Sequence, residues 1–152
     1  MFNSLQKFCD VTPLGQVGFR LSFGDIIAYI DPYLSNSVQQ LDNDAVRLMP
    51  VLIAPDEVQD ADYVFITHEH ADHCDAQTLL PLSKASPNCQ FICPNSVSNT
   101  LIDWGISENR IMRATPANKL KFLTTLFSRK ARTVSPIQLK DLTVHIVPSA
   151  HP

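Results

Sequence analysis

The sequence THEHADHCD places His68, His70, Asp72 and His73 within six residues of a 152-residue chain that has five histidines in all. Imidazole and carboxylate donors in this mixture suit zinc, manganese or iron. Residues i and i+2 lie about 200° apart on a helix but on one face of an extended chain. His68 and His70 are therefore expected to reach one metal ion from an extended strand exit, with Asp72 continuing that face and His73 turning away to offer a second position. His151, in VPSAHP, is the candidate third ligand from a distant strand end, whereas His145, between Val144 and Ile146, reads as a surface or packing histidine. Three protein ligands plus water form the catalytic pattern for such metals. A metal here lowers the pKa of its water from about 15.7 to about 7 and polarises a carbonyl or phosphoryl oxygen, which is hydrolytic chemistry. Asp72 is the candidate catalytic residue, placed to orient or deprotonate that water. Asp31, at the end of AYID, is expected to support the histidine loop by accepting a hydrogen bond from it.

These groups need strand ends to hold them. Asp62–Thr67, DYVFIT, has the β-branched and aromatic content of a short buried strand and runs straight into the histidine cluster. From Gly15 to Ile30, alternating Val17, Phe19, Leu21 and Phe23, a Gly24-Asp25 turn signal and an apolar run predict a β-hairpin that stops at Asp31-Pro32. Residues Ser35 to Asp60 show no sustained period and read as a long loop with one short helical turn. Asp75 is placed to cap a helix through Ala85, with Pro81 expected to split it into two turns. Gln90–Cys93 reads as a strand. Asn95 or Ser96 then caps a helix ending near Trp104-Gly105, with Val97, Leu101 and Trp104 on one face. Strand alternating with helix predicts an α/β layering. Ile137–Leu139 and Leu142–Val147 flank Lys140-Asp141 as a second hairpin, and LKFLTTLFSRKARTVSP before it reads as a surface insertion.

Composition narrows the function classes. Hydrophobic residues are 45% and charged residues 18%, a globular balance, and no apolar run approaches the roughly 18 residues of a membrane span. The start, MFNSLQKFCD, lacks the apolar stretch of a secretory signal, so the expected location is cytoplasmic and the expected partner a small-molecule substrate rather than a membrane. Cys9, Cys74, Cys89 and Cys93 are too few for a disulfide framework and read as reduced thiols. Neither GxGxxG nor GxxxxGK[ST] occurs, which excludes the common dinucleotide and nucleotide-triphosphate loops. Net charge is −3, yet Met1–Glu108 holds 14 of 15 acids and Asn109–Pro152 holds 8 of 12 basic residues. The basic stretch, Arg110 to Lys140, reads as a solvated loop or a positive lining for an anionic substrate.

The motif HxHxDH formed by His68, His70, Asp72 and His73 resembles the signature of the metallo-β-lactamase superfamily. LGQVGFRLSFGDIIAYIDPYLS, ITHEHADHCD and the WGI segment are similar to the branch that contains L-ascorbate-6-phosphate lactonase. The resemblance implies an αββα sandwich, of which residues 1–152 form one domain corresponding to its N-terminal half. It implies one metal on His68, His70 and His151, Asp72 and His73 serving a second metal or the nucleophile, and Asp31 as the strand-ending aspartate. One or two divalent ions are expected, manganese in the lactonase branch and zinc in most of the superfamily. The implied activity is metal-dependent hydrolysis of a small anionic ester, lactone or phosphodiester. The alternatives are a non-catalytic metal-binding half and, further off, a nuclease that uses the basic stretch, nucleic acid being the less expected partner. The sandwich's metal-bridging aspartate and final histidine fall beyond Pro152, so self-association or a completing chain is expected.

Overall fold

A computed structural model describes residues 8–114 and 136–146, so that His151 and the insertion before the second hairpin lie outside the described residues. The chain divides into two compact units, Met1–Arg113 and Ala114–Pro152.

The first unit is built on a six-stranded sheet whose spatial order follows the sequence. Its strands are β1 (Cys9–Pro13), β2 (Phe19–Phe23), β3 (Ile26–Ile30), β4 (Tyr63–Phe65), β5 (Gln90–Cys93) and β6 (Ile111–Arg113). The first three pair antiparallel, and β3 to β6 pair parallel. Parallel neighbours need crossovers. These are supplied by a long segment containing α1 (Ser37–Leu41), by α2 (Ala76–Ala85) and by α3 (Asn95–Asp103).

The expected hairpin is β2 and β3, with Phe23 opposite Ile26 and Gly24 at φ +58°, the left-handed backbone that a two-residue loop demands. Strand β1 was not legible in the sequence, because every one of its residues is exposed and no burial imposes a pattern on it. As an edge strand it tolerates Pro13. The loop between Asp31 and Asp60 holds two helical turns rather than one, α1 and a 3-10 turn at Pro55–Glu57.

Pro81 does not split α2, which runs unbroken from Ala76 to Ala85. The lost hydrogen bond is offset by the Asp75 cap on Gln77 N and by Leu79 and Leu82, both fully buried on either side of the proline. The start of α3 also differs from expectation: Pro94 is the N-cap, without a side-chain hydrogen bond, and Asn95 is already helical. The Pro94 carbonyl accepts the first helical bond, from Ser98 N at 2.9 Å. At the other end Gly105, at φ +90°, lets Ile106 N reach back to Leu101 O at 3.0 Å, which closes the helix.

Strand pleating sorts the side chains between two faces. Tyr29, Val64, Phe91 and Ile111 stand opposite one another across four parallel strands. They share a buried cluster with Leu79 and Leu82 of α2 and Val97 and Leu101 of α3. Each such side chain contributes about 1.5–3 kcal/mol by leaving water. The other face carries Phe19, Leu21, Phe23, Ile30, Phe65 and Met112 in register. This is the α/β layering that the sequence rhythm implied.

In the second unit β7 (Ile137–Leu139) and β8 (Leu142–Val144) form the predicted hairpin, with Lys140 at φ +45° in its turn. Strand β8 ends at Val144, so His145 and Ile146 fall outside it, and Val147 of the expected strand lies outside the described residues. Among the described residues no helix is long and apolar enough to cross a membrane.

Candidate metal centre

The cluster grows from the ends of β3 and β4. Strand β3 closes on Asp31, whose backbone lies at φ +44° and whose side chain is buried. Non-glycine residues avoid this region, and aspartate tolerates it better than most. Two contacts hold the turn in place: Asp31 N donates to Phe65 O at 2.8 Å, and Gly18 lies so close that a Cβ there would collide with the Asp31 carbonyl. Glycine at position 18, itself at φ +88°, is thus a condition for the Asp31 turn.

From this turn the Asp31 carboxylate reaches the histidine loop. Oδ1 accepts from Thr67 N at 2.7 Å, and Oδ2 accepts from Thr67 Oγ1 at 2.6 Å. Oδ2 also lies 2.9 Å from His73 Nδ1, and Thr67 Oγ1 lies 2.9 Å from His68 Nδ1. Asp31 thus accepts from Thr67, the residue that leads into the histidine loop, and Thr67 links it to His68.

The histidines are arranged differently from the extended-chain expectation. Beyond β4 the backbone turns, and His70 O accepts from both His73 N at 2.9 Å and Cys74 N at 2.7 Å. The i+3 and i+4 bonds bring His73 back instead of letting it turn away. Its ring centroid lies 4.1 Å from that of His68, which is also 4.6 Å from His70. His68 is therefore the central ring, half-buried, with Nε2 shielded from solvent, while His70 is exposed. Asp72 does not continue the His68 and His70 face: its carboxylate approaches the cluster through His73, 3.6 Å from Nε2.

Around this loop other side chains fix the scaffold. Buried Asp75 accepts from Thr78 Oγ1 and Ser35 Oγ, both at 2.6 Å, while Thr78 Oγ1 accepts from Leu34 N, so the start of α2 holds the segment after Asp31. Arg47 stacks 4.2 Å over the Tyr33 ring and donates to the carbonyls of Tyr33, Ser35 and Met49. Glu69 accepts from Ser96 Oγ at 3.2 Å. Its own backbone N–H first, and then Ser96, hold its carboxyl below the ordinary 4.5. Burial pushes the Cys74 thiol up to about 11, keeping it protonated beside the cluster. A cleft of about 300 Å³ opens next to Asp72, walled by Gln16, Tyr33, Val38, Arg47 and Leu48.

The basic stretch divides. Arg110 and Arg113 are engaged within the first unit and do not form a solvated lining. Arg110 donates to the carbonyls of Ser83, Ser86 and Cys89, and Arg113 to Ser98 Oγ and Glu108. Cys89 is a partner of Arg110 through Sγ at 3.0 Å, and the four cysteines are free. His145 is exposed just beyond β8, where the sequence placed a surface histidine.

The donor set is chemically that of a divalent metal site, imidazoles flanked by carboxylates. Among the described residues no three His, Cys, Asp or Glu side chains form a group that could hold the ion. His68 and His70 supply two neighbouring rings, and the expected third ligand, His151, lies outside the described residues.

Residues 28–152 match the family model described as the beta-lactamase superfamily domain. The chain belongs to the metallo-β-lactamase superfamily. The match takes in Asp31, the whole histidine cluster and His151. A relative of this superfamily chain, named as a probable L-ascorbate-6-phosphate lactonase of Salmonella heidelberg, is 26% identical over 77 residues, covering 50% of this chain and 22% of that protein. A solved structure of Igni18, described as a novel metallo hydrolase from Ignicoccus hospitalis, aligns with TM-score 0.47 and 19% identity over 78% of this chain and 44% of that one. This metallo-β-lactamase chain thus spans less than half the length of these relatives.

Proposed function

We propose that this chain carries the metal-binding loop of a metal-dependent hydrolase acting on a small anionic ester, lactone or phosphodiester. The observation that supports this reading is the packing of the His68, His70 and His73 rings at 4.1–4.6 Å, with Asp31 and Asp72 on either side of His73. Superfamily membership and the lactonase name of a distant relative point the same way.

In this reading His68, His70 and His151 hold a first divalent ion, zinc or manganese, and His73 with Asp72 serves a second or the reacting water. A bound ion supplies Lewis acidity, which acidifies water and polarises the scissile carbonyl or phosphoryl group. Asp72, about two-fifths exposed at the cleft, is the group free to take a proton from water. The cleft beside it matches the lower end of small-ligand pockets in size. Arg47 spends its donors on backbone carbonyls, so it shapes the wall more than it neutralises an anion. The apolar face formed by exposed Phe19 and half-buried Leu21, Phe23, Ile30, Phe65 and Met112 supports the further proposal that a second copy or a completing chain packs there.

Elemental analysis of the purified chain, with solution mass measured alongside, tests the reading. About one tightly held zinc or manganese per chain is expected, lost in His70→Ala and retained in His145→Ala. Equal metal content in the two variants would defeat the ligand assignment.

A further inference from the structure

We propose that Thr67 is a positioning residue that fixes the tautomer of His68, so that His68 offers an unprotonated Nε2 to a metal ion. The geometry of the relay stands by itself, while its use in metal binding rests on the functional reading above.

Asp31 is a carboxylate that accepts and does not donate. Thr67 Oγ1 stands 2.6 Å from Asp31 Oδ2, and a hydroxyl has one proton, so that proton lies on the bond to Asp31. The same oxygen is 2.9 Å from His68 Nδ1. With its proton committed, Thr67 Oγ1 can only accept there, and Nδ1 must carry the hydrogen. A neutral imidazole has a single N–H, which leaves the lone pair on Nε2. Nε2 is also the nitrogen shielded from solvent within the histidine cluster.

The hydroxyl cannot readily swing to another arrangement. Thr67 N is tied to the other oxygen of the same carboxylate at 2.7 Å, so threonine and aspartate are joined at two points. Asp31 is in turn fixed by Phe65 O and by the close passage of Gly18. Strand order does the rest: β3 and β4 are parallel neighbours, so their C-terminal ends bring Asp31 and Thr67 to the same edge of the sheet. Serine would preserve the hydroxyl and the relay, whereas valine keeps the shape of threonine and removes the proton donor.

Nitrogen NMR of the ring-labelled, metal-free full chain at mildly alkaline pH reads the tautomer directly, and zinc titration against a chromophoric chelator reads affinity. The wild type is expected to hold His68 with the proton on Nδ1. Thr67→Val is expected to move the proton population toward Nε2 and to weaken zinc binding roughly 10- to 100-fold, with Thr67→Ser restoring both. A wild-type His68 protonated on Nε2 would overturn the proposal, whether or not Thr67→Val folds. So would a Thr67→Val chain whose tautomer and zinc affinity are unchanged. A Thr67-dependent tautomer in a chain that takes up no zinc would leave the relay standing and remove the metal reading instead.

Discussion

Asp31 combines an unfavourable backbone with a carboxylate that no other residue type fully replaces. Its φ of +44° costs on the order of 1–3 kcal/mol for a non-glycine residue, offset by bonds from Thr67 N and Thr67 Oγ1. Asparagine accepts the left-handed backbone but carries no charge, whereas valine has neither the backbone tolerance nor the acceptors. Asp31→Asn is therefore expected to cost about 1 kcal/mol of stability and Asp31→Val about 3 kcal/mol or more, read from urea midpoints. Equal losses in the two variants would mean that the backbone conformation contributes nothing to the residue choice. The residue was legible as a strand-ending aspartate. Its strained backbone was not, because the turn it makes is packed against Gly18, thirteen positions earlier in sequence and adjacent only in space.

At the scale of elements, α2 is the helix that the histidine loop leads into, its start closed by the adjacent Asp75 and its end by a residue distant in sequence. Asp75 caps its start and ties in Ser35 and Thr78. Its end is closed by Arg110, whose guanidinium donates to Ser83 O at 3.0 Å and Ser86 O at 2.9 Å, with Cys89 O beyond. A cation at a helix C-terminus also meets the negative end of the helix dipole. Read as sequence, Arg110 opened a basic stretch that suggested a solvated loop or an anion-facing surface; its actual partners are the carbonyls that helices leave orphaned. Arg110→Ala is expected to cost about 2–3 kcal/mol, because half-buried carbonyls lose charged donors together. Arg113→Ala, whose guanidinium meets exposed Glu108 and Ser98 Oγ, is expected to cost less than half of that. A urea series on the two variants that ranks them the other way would show that Arg110 does not close α2.

Over the whole sheet, one charged network clasps the antiparallel part to the parallel part. Arg20 on β2 donates from Nε and Nη2 to Asp60 Oδ2, and Tyr29 on β3 donates to Asp60 Oδ1 at 2.8 Å. Burial, and then the bond to Asp60, push the Tyr29 phenol from 10.0 up to about 12. A group whose folded pKa is raised contributes stability that is complete below its unfolded value and is lost as pH rises through the folded one. The chain is therefore expected to lose stability between pH 10.0 and about 12, with a smaller loss in that window for Tyr29→Phe. At the acid end the sign reverses. Burial by itself raises Asp60, but the bonds from Arg20 and Tyr29 outweigh it and hold the carboxyl below its ordinary 3.8. Its contribution is present above that value and fades as pH falls through the lower folded one. A Tyr29→Phe chain with the same alkaline profile as the wild type would detach the network from the pH dependence.

The sequence by itself determined the donor chemistry and most of the strands and helices, because those signals are local. HxHxDH is spelled out in six residues, alternation marks β2, and an apolar run marks β3. The sequence also carried the metallo-β-lactamase resemblance, which the family match over residues 28–152 bears out. Tertiary structure alone decided how the donors meet. The return of His73 onto His68 depends on a turn closed at His70 O, and the linking role of Thr67 depends on parallel pairing of β3 with β4. Likewise, Arg110 became the clasp of a helix because the parallel pairing of β5 with β6 carries its segment to the end of α2. Side-chain type is written residue by residue, whereas the direction in which a proton or a carboxylate points is fixed by neighbours far away in the chain.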